Sequence, residues 1–141
     1  MKRTSLVLAM ALGLMMLTLC YSAQAQTQAV SLQCTMGRAQ FNPAGTYNIL
    51  IEADMSAATV TMPDGTTNAN LYFKPGAYHG ICPDYVESTS AMYRFGCSCA
   101  DVWSGRQYKI DRISGEITFG RQTGEVWQKG TCTKAEIHQK F

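Results

Sequence analysis

After its first 25 residues this chain has no long hydrophobic run, no cluster of basic residues and no internal repeat. The missing apolar run excludes a second membrane-directed helix, because a span needs about 20 apolar residues. The missing basic cluster removes the charge that neutralises phosphates and releases counterions, which disfavours nucleic acid as a partner. A basic amphipathic helix for a membrane surface is also missing. Histidine is scarce: only His79 and His138 occur. No Gly-rich phosphate loop, Gly-x-Ser-x-Gly elbow or Cys-x-x-Cys pair is present, so the usual signatures of phosphoryl transfer, esterase chemistry and thiol redox catalysis fail.

What is present begins with an export signal. Lys2 and Arg3 precede an almost wholly apolar stretch from Leu6 to Leu19, and Ala23-Gln24-Ala25 closes it. Charge, apolar run and small-x-small site in that order read as a secretory signal peptide cleaved after Ala25. Cys20 sits where a lipoprotein cysteine sits. Leu19 before it is too bulky for that processing, so the Ala25 site is expected instead. Twelve Lys and Arg stand against ten Asp and Glu. Lys2 and Arg3 leave with the signal, so residues 26–141 are formally neutral. They form one expected domain, with a frayed tail after about Lys134.

Period-two alternation broken by Gly, Pro, Asn and Asp dominates that domain. Tyr47, Ile49, Ile51 and Ala53 share one face of 46–54, with Leu50 the exception on the other. Ala58, Val60 and Met62 alternate before Pro63-Asp64-Gly65, and 66–73 reads as another strand. Tyr93, Phe95, Cys97 and Cys99 share a face of 92–103, which Ser104-Gly105 ends. Tyr108 and Ile110, then Ile117 and Phe119, form the clearest hairpin. Only an even loop aligns all four, and Gly115 in the left-handed conformation suits a four-residue one. Residues 74–90 read as an irregular loop. The fold class expected is all-β: a small antiparallel meander closing as a barrel or sandwich, disulfide-stabilised.

Five cysteines remain after processing: Cys34, Cys82, Cys97, Cys99 and Cys132. They allow two bridges and one thiol left over. Cys97 and Cys99, two apart on a strand, lie about 6.5–7 Å from each other, so each is expected to face a different partner. Cys34–Cys132 is favoured for one bridge, with a short loop such as Cys82–Cys97 for the other. A sharper alternative gathers His79, Cys82, Cys97 and Cys99 into a zinc or thiol-handling site. In an oxidising compartment the disulfide reading is preferred.

No catalytic constellation stands out. Asp54, Asp64, Asp84, Asp101 and Asp111 are scattered and mostly beside turns, as solvated or turn-forming acids are. Trp103 and Trp127 read as core or barrel-rim aromatics. The expectation is a non-enzymatic binding or structural domain with no cofactor, its partner a protein or a cell-envelope ligand. Tyr78 and His79 are candidate binding residues in the 74–90 segment.

Two resemblances concern the C-terminal half. The run Tyr108-Lys109-Ile110-Asp111-Arg112-Ile113-Ser114-Gly115 with Gly130-Thr131-Cys132 resembles the ending of small exported proteobacterial proteins of unknown function, which implies no activity. Ser104-Gly105-Arg106-Gln107-Tyr108 and Trp127-Gln128-Lys129-Gly130 are similar to two loop motifs of periplasmic C-type lysozyme inhibitors. That likeness implies a small disulfide-bearing β-barrel in which Ser104 and Lys129 reach into a lysozyme cleft. The 22 residues between Ser104 and Trp127 exceed that family's spacing.

Overall fold

The computed structural model describes residues 28–40, 42–63, 71–101 and 103–135. The leader with Cys20 and Ala25, the Asp64-Gly65 turn and the tail with His138 lie outside them. The described chain forms ten strands: β1 (Val30–Met36), β2 (Gly45–Ile51), β3 (Ala58–Thr61), β4 (Tyr72–Phe73), β5 (Tyr78–His79), β6 (Cys82–Ser88), β7 (Met92–Cys97), β8 (Arg106–Asp111), β9 (Glu116–Arg121) and β10 (Val126–Lys134). Their order in the sheet is β4-β3-β2-β1-β10-β9-β8-β7-β6-β5, and all paired neighbours run antiparallel. Two meanders thus meet at β1 and β10. The single sheet curls into a half-barrel, and β4 approaches β6 and β7 across the hollow. Among the described residues no helix is long and apolar enough to cross a membrane.

Alternation decides which face closes inward. In β2, Tyr47, Ile49 and Ile51 are buried while Thr46, Asn48 and Leu50 are exposed. Leu50, the exception in the sequence pattern, stays on the outer face. Leu32, Cys34 and Met36 from β1 join Phe95, Tyr108, Ile110 and Ile117 in the same core. Burying each large apolar side chain stabilises the fold by about 1.5–3 kcal/mol.

The hairpin follows its expected register. Tyr108 pairs with Phe119 and Ile110 with Ile117, around a four-residue turn in which Gly115 has φ +76°. The Ile113 and Ser114 backbone N–H groups both donate to Asp111 Oδ1 at 2.8 Å. These bonds, that of Ser114 first, hold the Asp111 carboxyl below its ordinary pKa. Gly96 serves the curl differently: any Cβ there would run into the Arg106 carbonyl. Its bareness lets β7 and β8 approach closely.

Three expectations about strands and loops need correction. Residues 74–90 are not irregular throughout, because β5 and β6 both lie within them. Pro83 and the acid Asp84 hide the inward alternation of Cys82, Asp84 and Val86. Lys129-Gly130 does not lie in a loop, as the second resemblance implies, but in the middle of β10, whose irregularity is a bulge between Val126 and Gln128. The strand expected over 92–103 ends at Cys97. Of the strand expected over 66–73, Tyr72–Phe73 is seen; 66–70 lie outside the described residues.

One disulfide joins two strands and the other joins β6 to the segment just after β7. Cys34 faces Cys132 in the β1–β10 ladder, the bridge favoured from sequence. The second joins Cys82 to Cys99, not to Cys97. Register explains the choice. Asp84 faces Cys97 and the Ser98 N–H donates to the Pro83 carbonyl, so the same ladder carried one pair further sets Cys82 opposite Cys99. Their Cα atoms are 4.5 Å apart, the spacing of a non-hydrogen-bonded antiparallel pair. Cys97 is left as a buried free thiol.

Candidate functional site

The concave face is graded along the strands. At one end Ile110 and Ile117 belong to the same buried cluster as Ile49 and Ile51. Two residues nearer the other end, Val86, Phe95, Tyr108 and Phe119 form a row across β6 to β9. Two residues further, the row reads Asp84, Cys97, Arg106 and Arg121. Apolar floor, aromatic middle and charged mouth follow from one parity carried along four strands.

A cavity of about 900 Å³ opens at the charged end. Phe73, Tyr108, Phe119 and Trp127 line its aromatic wall; His79, Cys97, Arg106, Arg121 and Glu125 line its polar side. Ala39, Gln40 and Asn42 from the segment after β1 border it, as do Met62 and Leu71 on either side of residues 64–70. The rings form a continuous series. Tyr108 stacks on Phe95 at 5.1 Å and on Phe119 at 4.4 Å, and Phe119 meets Trp127 edge-on at 5.5 Å.

The rim is built from fixed pieces. Gln122 accepts from the Cys99 N–H and donates to Ser98 Oγ, both at 2.9 Å, holding the loop between β7 and β8. Buried Gln128 donates to the Gly37 carbonyl at 2.6 Å and to the Tyr47 hydroxyl at 3.3 Å. These bonds fasten the segment after β1. On the other flank Asp84 accepts from the Lys74 N–H at 3.1 Å and meets His79 Nδ1 at 2.5 Å. A buried acid is tolerated there because its oxygens are partnered.

Arg121 is held between two indoles, 5.5 Å from the Trp103 ring and 5.6 Å from that of Trp127, with Glu125 at 3.4 Å. Both tryptophans are therefore rim aromatics, one of the two places expected for them. Tyr108 is different. It is 1 % exposed, and its hydroxyl has no hydrogen-bond partner among the described residues. Burial foremost, with Tyr47 second, raises its pKa above the ordinary tyrosine value, while Arg106 opposes the shift. An orphaned buried hydroxyl costs about 1–3 kcal/mol.

The sequence candidates divide. His79 reaches the cavity, whereas Tyr78 points outward and is 66 % exposed. Ser104 lines the mouth, but its hydroxyl is already bonded to Asp101 Oδ2 at 3.0 Å. Lys129 is exposed beside buried Gln128 and pairs with Thr118, the outward neighbour of Ile117 and Phe119. Ser104 thus sits in a loop at the cavity mouth, and Lys129 on the outer face of the sheet. The four-ligand alternative loses Cys82 and Cys99 to their disulfide, and His79 is engaged by Asp84. Among the described residues no group of three His, Cys, Asp or Glu is placed to hold a metal ion.

Tyr108, Phe119, Arg106 and Arg121 were not candidates from sequence. The signal was present in the hairpin: the register that pairs Ile110 with Ile117 and Tyr108 with Phe119 continues to Arg106 and Arg121. Comparison with protein-family models, curated proteins and solved structures finds no match to this chain.

Proposed function

We propose that this is an exported envelope or extracellular binding protein whose half-barrel takes a small ligand in its concave cavity. The Lys2-Arg3 start, the apolar stretch and the Ala25 site support export. Two disulfides fit an oxidising compartment outside the cytosol. One observation carries the binding reading: a cavity of about 900 Å³ is walled by a continuous aromatic row and has two arginines at its mouth. Ligand pockets run to roughly 300–1,000 Å³ and combine apolar walls with a few converging polar groups. Tyr108, Phe119 and Trp127 provide the wall; Arg106, Arg121 and His79 provide the polar groups.

The test is calorimetric titration of the purified protein with a neutral ring compound, 4-tert-butylbenzyl alcohol. Saturable one-to-one binding is expected, weakened about fivefold by Phe119→Ala, which removes the ring between Tyr108 and Trp127. Absence of binding, or binding indifferent to Phe119, contradicts the assignment.

A further inference from the structure

Arg106 and Arg121 are direct cross-strand partners in β8 and β9, and both line the cavity mouth. Like charges placed directly opposite destabilise a sheet, so folding alone gives no reason for the pair. The carboxylates nearby leave one guanidinium uncompensated. Glu125 pairs with Arg121. Asp84, on the same row, is bonded to His79 and the Lys74 N–H. Asp101 is occupied by Ser104 and the Trp103 N–H. Arg106 has neither an ion pair nor a side-chain hydrogen bond among the described residues.

Resting on the cavity as the ligand site, we infer that its ligand is a small organic anion with an apolar or aromatic ring. The anionic group sits at Arg106 and Arg121, and the ring lies inward along Tyr108, Phe119 and Trp127. Three observations combine. The guanidinium fork matches a carboxylate or comparable oxyanion with paired hydrogen bonds. Arg121 is oriented beforehand by its two indoles, so little side-chain freedom is lost when an anion arrives. The spacing also fits: Tyr108 and Phe119 lie two residues inward of Arg106 and Arg121, a step of about 6.6 Å along a strand. A single-ring carboxylate spans that step, with its charge at the mouth and its ring on the aromatic row.

Paired titrations separate this inference from the reading beneath it. The probes are 4-tert-butylbenzoate and 4-tert-butylbenzyl alcohol, alike in the ring and different in charge. The acid is expected to bind at least about tenfold more tightly, in keeping with a charge-assisted contact. Arg106→Gln should remove about that factor for the acid and change alcohol binding far less, with a cooperative urea transition showing that the variant is folded. Added salt should weaken only the acid. Equal affinity for the two probes, or acid binding unchanged in Arg106→Gln, overturns the anion assignment while the cavity stands. Failure of both probes to bind overturns the cavity reading itself, and this inference with it.

Discussion

His79 Nδ1 stands 2.5 Å from Oδ1 of the buried Asp84 carboxylate, joining two-residue β5 to the inward face of β6. The other Asp84 oxygen holds the backbone just after β4, so one acid links both ends of the curled sheet. Asp84→Ala leaves the Lys74 N–H and the imidazole without this partner. A loss of about 2–3 kcal/mol is expected, read as a lower urea midpoint. A change below about 0.5 kcal/mol, the range of ordinary surface substitutions, would show that the sheet ends close without it.

The disulfide pattern gives a sharper contrast between two neighbouring cysteines. Cys99→Ser opens the bridge to Cys82 and should cost about 2–4 kcal/mol, whereas Cys97→Ser should leave both bridges in place. Mass mapping of the exported form beginning at Gln26 should find one free thiol, at Cys97. Finding it at Cys99 would contradict the β6–β7 register.

Alkaline stability reports the buried tyrosines. Burial is the main cause that pushes Tyr85 from 10.0 up to about 12, and it moves Tyr108 in the same direction. A raised folded-state pKa means that the unfolded chain releases its proton first. The stabilisation is therefore complete below the ordinary tyrosine value and is lost as pH rises through the folded one. Each group contributes a slope of up to about 1.4 kcal/mol per pH unit in that window. Urea midpoints should fall above about pH 10, less steeply in Tyr108→Phe. A flat profile there would mean that both hydroxyls reach solvent.

Tyr108→Phe also makes an unusual prediction at neutral pH. Most core substitutions destabilise, but this one removes a buried hydroxyl that has no partner and keeps the ring stacked on Phe95 and Phe119. A gain of about 1 kcal/mol is expected, raising Tm by roughly 3–6 °C. A lower Tm would show that the hydroxyl is bonded in the free protein.

How far the sequence could be read depended on whether a strand kept its alternation. Tyr108, Ile110, Ile117 and Phe119 alternate cleanly, so their pairing and the left-handed Gly115 were legible. The 74–90 segment was not, because Asp84 occupies an inward position where a hydrophobic residue is expected. Only the packed structure supplies the His79 and Lys74 partners that make an acid acceptable there. Cys82–Cys99 was not legible because loop length alone does not separate Cys97 from Cys99, whereas the β6–β7 register does. Leu32, Cys34 and Met36 alternate within β1, but a run this short of apolar residues is a weak strand signal beside the turn-flanked ones. The arginine pair was implied by the hairpin register. It lay beyond the apolar residues, where charged side chains are ordinarily assigned to solvent.

The central claim is that ligand enters at the mouth formed by Arg106 and Arg121. Trp103 and Trp127 are the chain's two tryptophans, and both stack on Arg121 there, so native tryptophan emission reports on this site alone. Titration with 4-tert-butylbenzoate, whose ring absorbs well below the tryptophan band, should shift that emission to shorter wavelength and saturate at the calorimetric midpoint. Emission that stays unchanged while calorimetry records binding would place the ligand elsewhere and contradict the account.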